Sequence, residues 1–262
     1  MAMRVYIVGM MFLGLVQIAA PAGAAEETAL REVERVGTSL HELDRAARAA
    51  LKEAEGTRAF RRDDRVAGWV ADRHPDGLSF TFVGMEPGSS QPLALYRTVI
   101  ARSGRVLEDL RRLPGEPLDA RLAAQFAASE QARLTQRTRC SNDEETLVLP
   151  DAEGWRAYVL PRAAFPDVYL LGGSYRVELS SSGDAVTGVQ ALASECVILQ
   201  NKPTSGALLF AEDRATLPNE LHVYISQQAG KPLYVTTTPN GRTWLIQEGR
   251  IHPVTGIPAS AG

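Results

Sequence analysis

Two cysteines are the first residues to weigh for chemistry. Cys140 lies in "RTRCSNDEETLVLP" and Cys196 in "ASECVILQ", and the chain has no others. A thiol nucleophile needs a nearby base and a setting that lowers its pKa. Asp143, Glu144 and Glu145 follow Cys140, and Glu195 precedes Cys196, so the local charge acts in the opposite direction. A zinc-type site needs further Cys or His at close spacing, and neither flank supplies them. In an exported chain, two lone cysteines pair. Closing the 56-position separation between them adds about 4 kcal/mol on the chain-entropy model. The expectation is a Cys140–Cys196 disulfide.

The histidines offer less. His41, His74, His222 and His252 form no HxH or HExxH spacing. His74 and His252 each precede proline, which marks extended or turn backbone. His222 alternates with Leu221 and Val223 in "ELHVYIS", a run that reads as an apolar strand. A hydrogen-bonded sheet histidine is one reading of it; the other is an acid/base working with an Asp or Glu. His222, Tyr224 and Trp244 are the candidate ligand-face residues. No GxSxG, SxxK box, GxGxxG, Walker loop or EF-hand loop occurs, so no cofactor or metal is expected. In "LGGSYRV", Gly172-Gly173 before Ser174 read as a turn, with an anion-binding nest as the alternative. The acidic stretch Asn142 to Glu145 reads as a solvated turn.

The elements that must position these residues begin with a leader. Arg4 gives a positive n-region, Val5 to Ala20 an apolar h-region, and Ala22-Gly23-Ala24 an A-x-A site. The apolar stretch is short of the roughly 20 residues that span a bilayer. Export with cleavage before Ala25 is therefore expected, to the periplasm or the medium. The whole chain has 28 Lys plus Arg, 31 Asp plus Glu and a formal net charge of −3. Without a basic cluster, a nucleic-acid partner is not expected.

From Glu26 to Glu55, Val33, Val36, Leu40, Leu43, Ala47, Ala50 and Ala54 recur at steps of three and four, predicting one amphipathic helix over 26–56. It either packs on its own domain or drives self-association through 26–55. The rest, 57–262, reads as an α+β globular domain. Arg65 to Leu110 is period two, with a turn at Ser103-Gly104. Pro114, Gly115 and Pro117 read as a chain break before a second helix near 117–136. The second half is a series of short strands. Asn240-Gly241 predicts a two-residue type I′ hairpin pairing Thr237 with Trp244 and Val235 with Ile246, covered on both faces. "YRTVIARSG" from Tyr96 and "YRVELSSSG" from Tyr175 share Tyr, Arg, Ser and Gly, a hint of two β-rich subdomains split near 138.

The segments "LVLPDAEGWRAYVLP", "LLGGSYRV", "ECVILQ", "ELHVYISQQAGKPLYVTT" and "RTWLIQEGRI" resemble stretches of a group of uncharacterised secreted proteins of Gram-negative bacteria. That group has "GGHYR" where this chain has "GGSYR". The resemblance implies export and a single β-rich module, and carries no catalytic residue over.

The expected fold is α+β: an N-terminal amphipathic helix, a mostly antiparallel β-rich body, one further helix and one disulfide. The expected function is that of an exported, non-catalytic protein with a binding or envelope-structural role, its partner a protein or small molecule. A periplasmic hydrolase using His222 with an Asp or Glu is the alternative.

Overall fold

The computed structural model describes residues 22–85, 88 and 91–255. The expected leader falls, up to residue 21, outside the described residues. The first element, α1 (Ala22–Gly56), is 35 residues long. Its apolar stripe is the organising feature of the molecule. Val36, Leu40, Leu43, Ala47, Ala50 and Ala54 are all buried, and they share one core cluster with residues from three sheets. The alanines in the second half of the stripe let strands approach the helix closely. No helix among the described residues is long and apolar enough to cross a membrane.

After the single-turn helix α2 (Arg58–Arg61), strands β1 (Val66–His74), β2 (Gly77–Gly84), β3 (Leu93–Ile100) and β4 (Val106–Pro117) form an antiparallel sheet in chain order. The expected break at Pro114 to Pro117 is instead the end of β4. The strand is an edge, and its register slips between the Tyr96–Arg112 and Ala94–Glu116 pairs, placing Pro114 and Gly115 in a bulge. Proline is tolerated there because an edge or bulge leaves its missing N–H unneeded. Helix α3 (Ala120–Leu134) then starts from Asp119, whose side chain accepts from Leu122 N.

A second four-stranded antiparallel sheet follows, in the order β5 (Glu144–Pro150), β6 (Trp155–Pro161), β8 (Tyr175–Leu179), β9 (Val186–Ala191). Between them β7 (Val168–Leu170) pairs with β10 (Ile198–Gln200). Alternation gives this sheet two apolar faces. Leu147, Tyr158 and Leu160 join the α1 core. Val148, Ala157, Val159, Val177 and Leu179 pack on Ala128 and Ala132 of α3. Leu122 and Phe126, a turn or two earlier, pack on Val70 and Val83 of the first sheet. Helix α3 therefore bridges two sheets. Tyr96 and Tyr175 both occupy the third strand of their sheet, and each leads through a positive-φ glycine, Gly104 or Gly183, into the fourth. Their surroundings differ. Tyr96 is buried with its hydroxyl donating to Asp63, whereas the Tyr175 hydroxyl accepts from Thr138 N.

The third sheet is mixed. Strand β11 (Leu208–Glu212) runs parallel to β12 (Leu233–Thr237), joined through α4 (Glu220–Ala229), and β13 (Arg242–Gln247) and β14 (Arg250–Val254) complete it. Here "ELHVYIS", expected as a strand, is the helix. Caps outweigh the β-like composition: Asn219 accepts at the N-terminus, and Gly230 closes the C-terminus in the left-handed region. Gly37 of α1 meets this helix so closely that a Cβ there would sit 2.5 Å from the Val223 Cβ.

The Asn240-Gly241 hairpin also differs from expectation. Thr237 pairs with Arg242 and Val235 with Trp244, two residues out from the expected register. Only Gly241 has positive φ, and the Thr237 carbonyl accepts from both Asn240 and Gly241. Pro239 lacks an N–H and holds φ negative, favouring this four-residue loop over a type I′ turn. The two-residue turn with both φ positive occurs one hairpin later, at Glu248-Gly249 between Gln247 and Arg250. A slip of two keeps every side chain on its face. Val235, Trp244 and Ile246 are buried while Tyr234 and Leu245 are half-buried, so one face is covered fully and the other partly.

The Cys140–Cys196 disulfide is present, with the Cα atoms 5.4 Å apart. It joins the segment after α3 to the segment before β10. In the acidic stretch beside it, Asn142 and Asp143 are exposed as expected, whereas Glu144 and Glu145 begin β5 and are paired. The Arg137 side chain is 2% exposed; it donates to Glu144 at 2.6 Å and to the Ala132, Arg133 and Thr135 carbonyls at the end of α3. Glu145 pairs with Arg162.

Candidate functional site

The first and second sheets present their edge strands β1 and β5 toward a common cleft of about 330 Å³. Helix α1 lines it with Arg35, Val36, Ser39, Glu42 and Leu43, a spacing that puts all five on one face. Strand β1 adds Ala71, Asp72 and Arg73; β5 adds Val148, Leu149 and Pro150; α3 adds Arg121 and Gln125. Arg102, from the β3–β4 turn, and Arg156, from β6, complete the polar lining.

Five arginines around one cleft is unusual in a chain whose net charge is −3. Most are held in place by carboxylates. Arg35 binds Glu32 through two nitrogens, at 2.8 and 2.6 Å, and this holds the Glu32 carboxyl below its usual range. Arg121 meets Asp72 at 2.7 Å, and its guanidinium carbon lies 5.7 Å from the Trp155 ring centroid. Arg102 lies 3.6 Å from Glu42. Arg156 pairs with Asp151 at 2.9 Å and lies 3.7 Å from Glu32. Arg73 has no side-chain partner among the described residues. Five guanidiniums against Glu32, Glu42, Asp72 and Asp151 leave one positive charge unmatched.

Two buried polar atoms in the lining have no partner. The Gln125 side chain is 4% exposed; its Nε2 donates to the Val148 carbonyl at 3.3 Å, and its Oε1 bonds to nothing. The orientation of this amide is fixed chemically, because a backbone carbonyl only accepts and must face the NH2 end. The Arg156 Nε, a donor only, is likewise buried and unpartnered. Buried polar groups are normally satisfied, so these two atoms stand out among the residues that line the cleft. The lining contains no His or Cys, and its Ser39 hydroxyl donates to the Arg35 carbonyl at 2.9 Å. Nothing in this lining resembles a nucleophile beside a base.

The residues singled out from sequence lie elsewhere and apart. His222 is 0% exposed. Its Nδ1 accepts from Asn219 N at 3.0 Å, completing a capping box at the start of α4. Its Nε2 lies 3.6 Å from Glu212 Oε2. Burial pushes the imidazole down to about 3 and the Glu212 carboxyl up. The histidine is held neutral as a helix cap and lines neither of the clefts described here. Trp244 is fully buried, its Nε1 donating to Thr237 Oγ1 at 3.2 Å, with the Arg242 guanidinium 4.2 Å over its ring.

Tyr224 borders a second cleft, of about 230 Å³, walled by Pro161, Phe165, Val168, Leu170 and Ile225. Its hydroxyl donates to Asp44 of α1 at 3.1 Å, and burial, followed by that carboxylate, pushes the phenol up. Asp44 is 1% exposed and also accepts from Arg48 Nε at 3.0 Å, with Arg162 at 3.8 Å. This cluster ties α1 to α4 and to the end of β6. Ser174 lines the same cleft, fully buried with its hydroxyl unpartnered. Gly173 beside it packs on Cys140. Among the described residues, no group of three His, Cys, Asp or Glu is placed to hold a metal.

Gln125 and Arg156 went unnoticed in the sequence. Gln125 sits between Ala124 and Phe126 in "LAAQFAASEQ", a polar residue on the face that also buries Leu122 and Phe126; that mismatch is the signal the sequence offers. No family model, curated protein or solved structure matches this chain.

Proposed function

We propose that the protein is an exported, non-catalytic binding protein, periplasmic or secreted, whose ligand occupies the cleft between β1 and β5. The ligand is a small organic anion with an apolar body. The observation that carries this reading is the ring of five arginines around one cleft, with one charge left unmatched by the neighbouring carboxylates. Val36, Leu43, Leu78 and Leu149 supply the apolar surface. The volume sits at the small end of ligand cavities, roughly 300–1,000 Å³.

Export is supported by the leader pattern together with a disulfide, the bond favoured in oxidising compartments. Cleavage before Ala25 also suits α1. Gly23, Ala24 and Ala25 are exposed, so trimming there removes no packing. Glu26 and Glu27 then fall in the first helical turn, where negative charge complements the helix dipole. Glu26 is docked on Arg242 through two contacts of 2.8 Å.

The test is titration of the mature protein, starting at Ala25, with 4-methylpentanoate, followed by amide NMR. The expected result is saturable shifts confined to residues 71–73, 121–125 and 148–156. Shifts that fail to saturate, or that map elsewhere, overturn the reading.

A further inference from the structure

We infer that the ligand is a short peptide with a free C-terminal carboxylate, bound in extended form as an added strand between β1 and β5. This rests on the cleft between β1 and β5 being the binding site. The cleft touches three consecutive residues of each strand, 71–73 and 148–150. Successive side chains of a strand alternate between faces, so a cleft bordering three in a row runs along the strand's edge. What it meets there is backbone.

Ladder parity says which backbone groups point out of each edge. In an antiparallel pair, every second residue exchanges hydrogen bonds with the neighbouring strand, and the residues between turn theirs the other way. On β1, the Arg73 N–H donates to the Asp72 carboxylate at 2.7 Å and not into the β2 ladder. Ala71, two positions back in an unbroken register, therefore also faces away from β2. On β5, the ladder to β6 is continued beyond its ends by Asp151 N donating to Gly154 O at 2.9 Å and Arg162 N to Asp143 O at 2.8 Å. Both bonds put the odd-numbered residues in the ladder and leave Val148 out of it. The Gln125 amide accordingly reaches the Val148 carbonyl from the outer side. The Ala71 N–H and C=O and the Val148 N–H thus stand at the two edges without a ladder partner, on residues only 7% and 5% exposed.

An extended peptide is the ligand that matches such edges, because it presents N–H and C=O groups to both sides in turn. Helices α1 and α3 line the same slot. Outward positions on one strand recur about every 6.6 Å, so spanning Ala71 and Arg73 takes two to three residues, which suits a cleft of about 330 Å³. The charge fixes the terminus. Five arginines set against four carboxylates leave one positive charge, and a C-terminal carboxylate answers it. A simple carboxylic acid meets the arginines and leaves the edges unpaired.

The experiment is calorimetric titration of the mature protein with N-acetyl-alanyl-leucine, the same compound methylated on its leucine nitrogen, and 4-methylpentanoate, joined to amide hydrogen exchange. The expected result is that the acetylated dipeptide binds about tenfold or more tighter than 4-methylpentanoate, the sum of a few hydrogen bonds. Methylation should remove most of that gain. Exchange should slow at Ala71 and Val148 with the dipeptide and stay unchanged there with 4-methylpentanoate.

If 4-methylpentanoate binds in the cleft and the dipeptide binds no tighter, or its methylated form binds equally well, the peptide inference is overturned while the binding reading stands. Tighter binding without protection at Ala71 or Val148 overturns it as well. So does protection along β9, an edge strand with Val186 and Val189 exposed, since the peptide would then add to that edge instead. Every comparison uses the native protein, so none depends on a variant folding. If none of the three compounds binds saturably, the binding reading itself fails.

Discussion

The Asp44 cluster and the β1–β5 cleft are built from the same kinds of residue and end in opposite states. Both sit against α1, and both set arginines beside carboxylates. Around Asp44 the polar groups are turned on one another: Tyr224, Arg48 and Arg162 converge on one buried carboxylate. In the cleft, the pairs stand at the rim, while Arg156 Nε and Gln125 Oε1 point their hydrogen-bonding capacity at nothing in the chain. A closed network contributes stability and loses it when one member is removed. An open one carries an unfavourable desolvation term that a partner from outside relieves. Substitution should therefore act in opposite directions at the two places.

The largest effect belongs to the wall of the second cleft, beside the Asp44 cluster. The disulfide packs on Gly173, next to Ser174 in the second cleft. The paired change Cys140→Ser with Cys196→Ser should lower stability by about 2 to 4 kcal/mol in urea unfolding. Hydrogen exchange sharpens the comparison. Protection should fall at residues 172–174 and 192–197 and hold at 71–73 and 121–125. Equal losses at both clefts would show that they are not separate regions.

Next comes the cluster itself. Asp44→Ala leaves the buried Tyr224 hydroxyl unpaired and Arg48 and Arg162 without their common partner. The expected cost is about 3 kcal/mol, the low end for a broken buried pair because Arg48 is half-exposed and can reach water. A cost below about 1 kcal/mol would mean that the network is not closed in solution.

A third buried polar pair, His222 with Glu212, extends the comparison to pH. Burial holds the folded-state imidazole at about 3, against 6.5 when exposed. Between those values the unfolded chain binds a proton that the folded chain does not, so stability is intact above pH 6.5 and falls as the pH drops below it. Glu212, whose carboxyl burial pushes up, acts in the reverse sense. It is present in both proteins when the native chain is compared with His222→Gln, so its share largely cancels. Gln at this position is the usual capping-box residue. The native chain should lose about 2 kcal/mol relative to His222→Gln on going from pH 7 to pH 5. Parallel curves would show that the imidazole reaches water.

How much of this was legible in the sequence depended on whether the signal was local. The α1 stripe and the disulfide were readable because periodicity and cysteine count are local or purely compositional. The α4 segment reads as a strand because Val223, Tyr224 and Ile225 favour strands, and the flanking caps, Asn219 and Gly230, decide otherwise. The 239–241 loop departs from the type I′ turn expected for Asn-Gly because Pro239 fixes its own φ negative and the loop widens to four residues. The cleft was not legible at all. Gln125, Arg156 and Arg35 come from α3, β6 and α1, and only the packing of α3 across two sheets brings them together.

The smallest effect on stability is the sharpest discriminator. Gln125→Leu removes an unpaired buried oxygen and fills its place with apolar atoms, at the expense of one 3.3 Å bond to the Val148 carbonyl. Replacing an unsatisfied buried group offsets much of that loss. The stability of the variant should lie within about 1 kcal/mol of the native protein, measured without ligand. A loss near 3 kcal/mol without ligand would put Gln125 in the same class as Asp44, and the contrast between an open and a closed region would collapse.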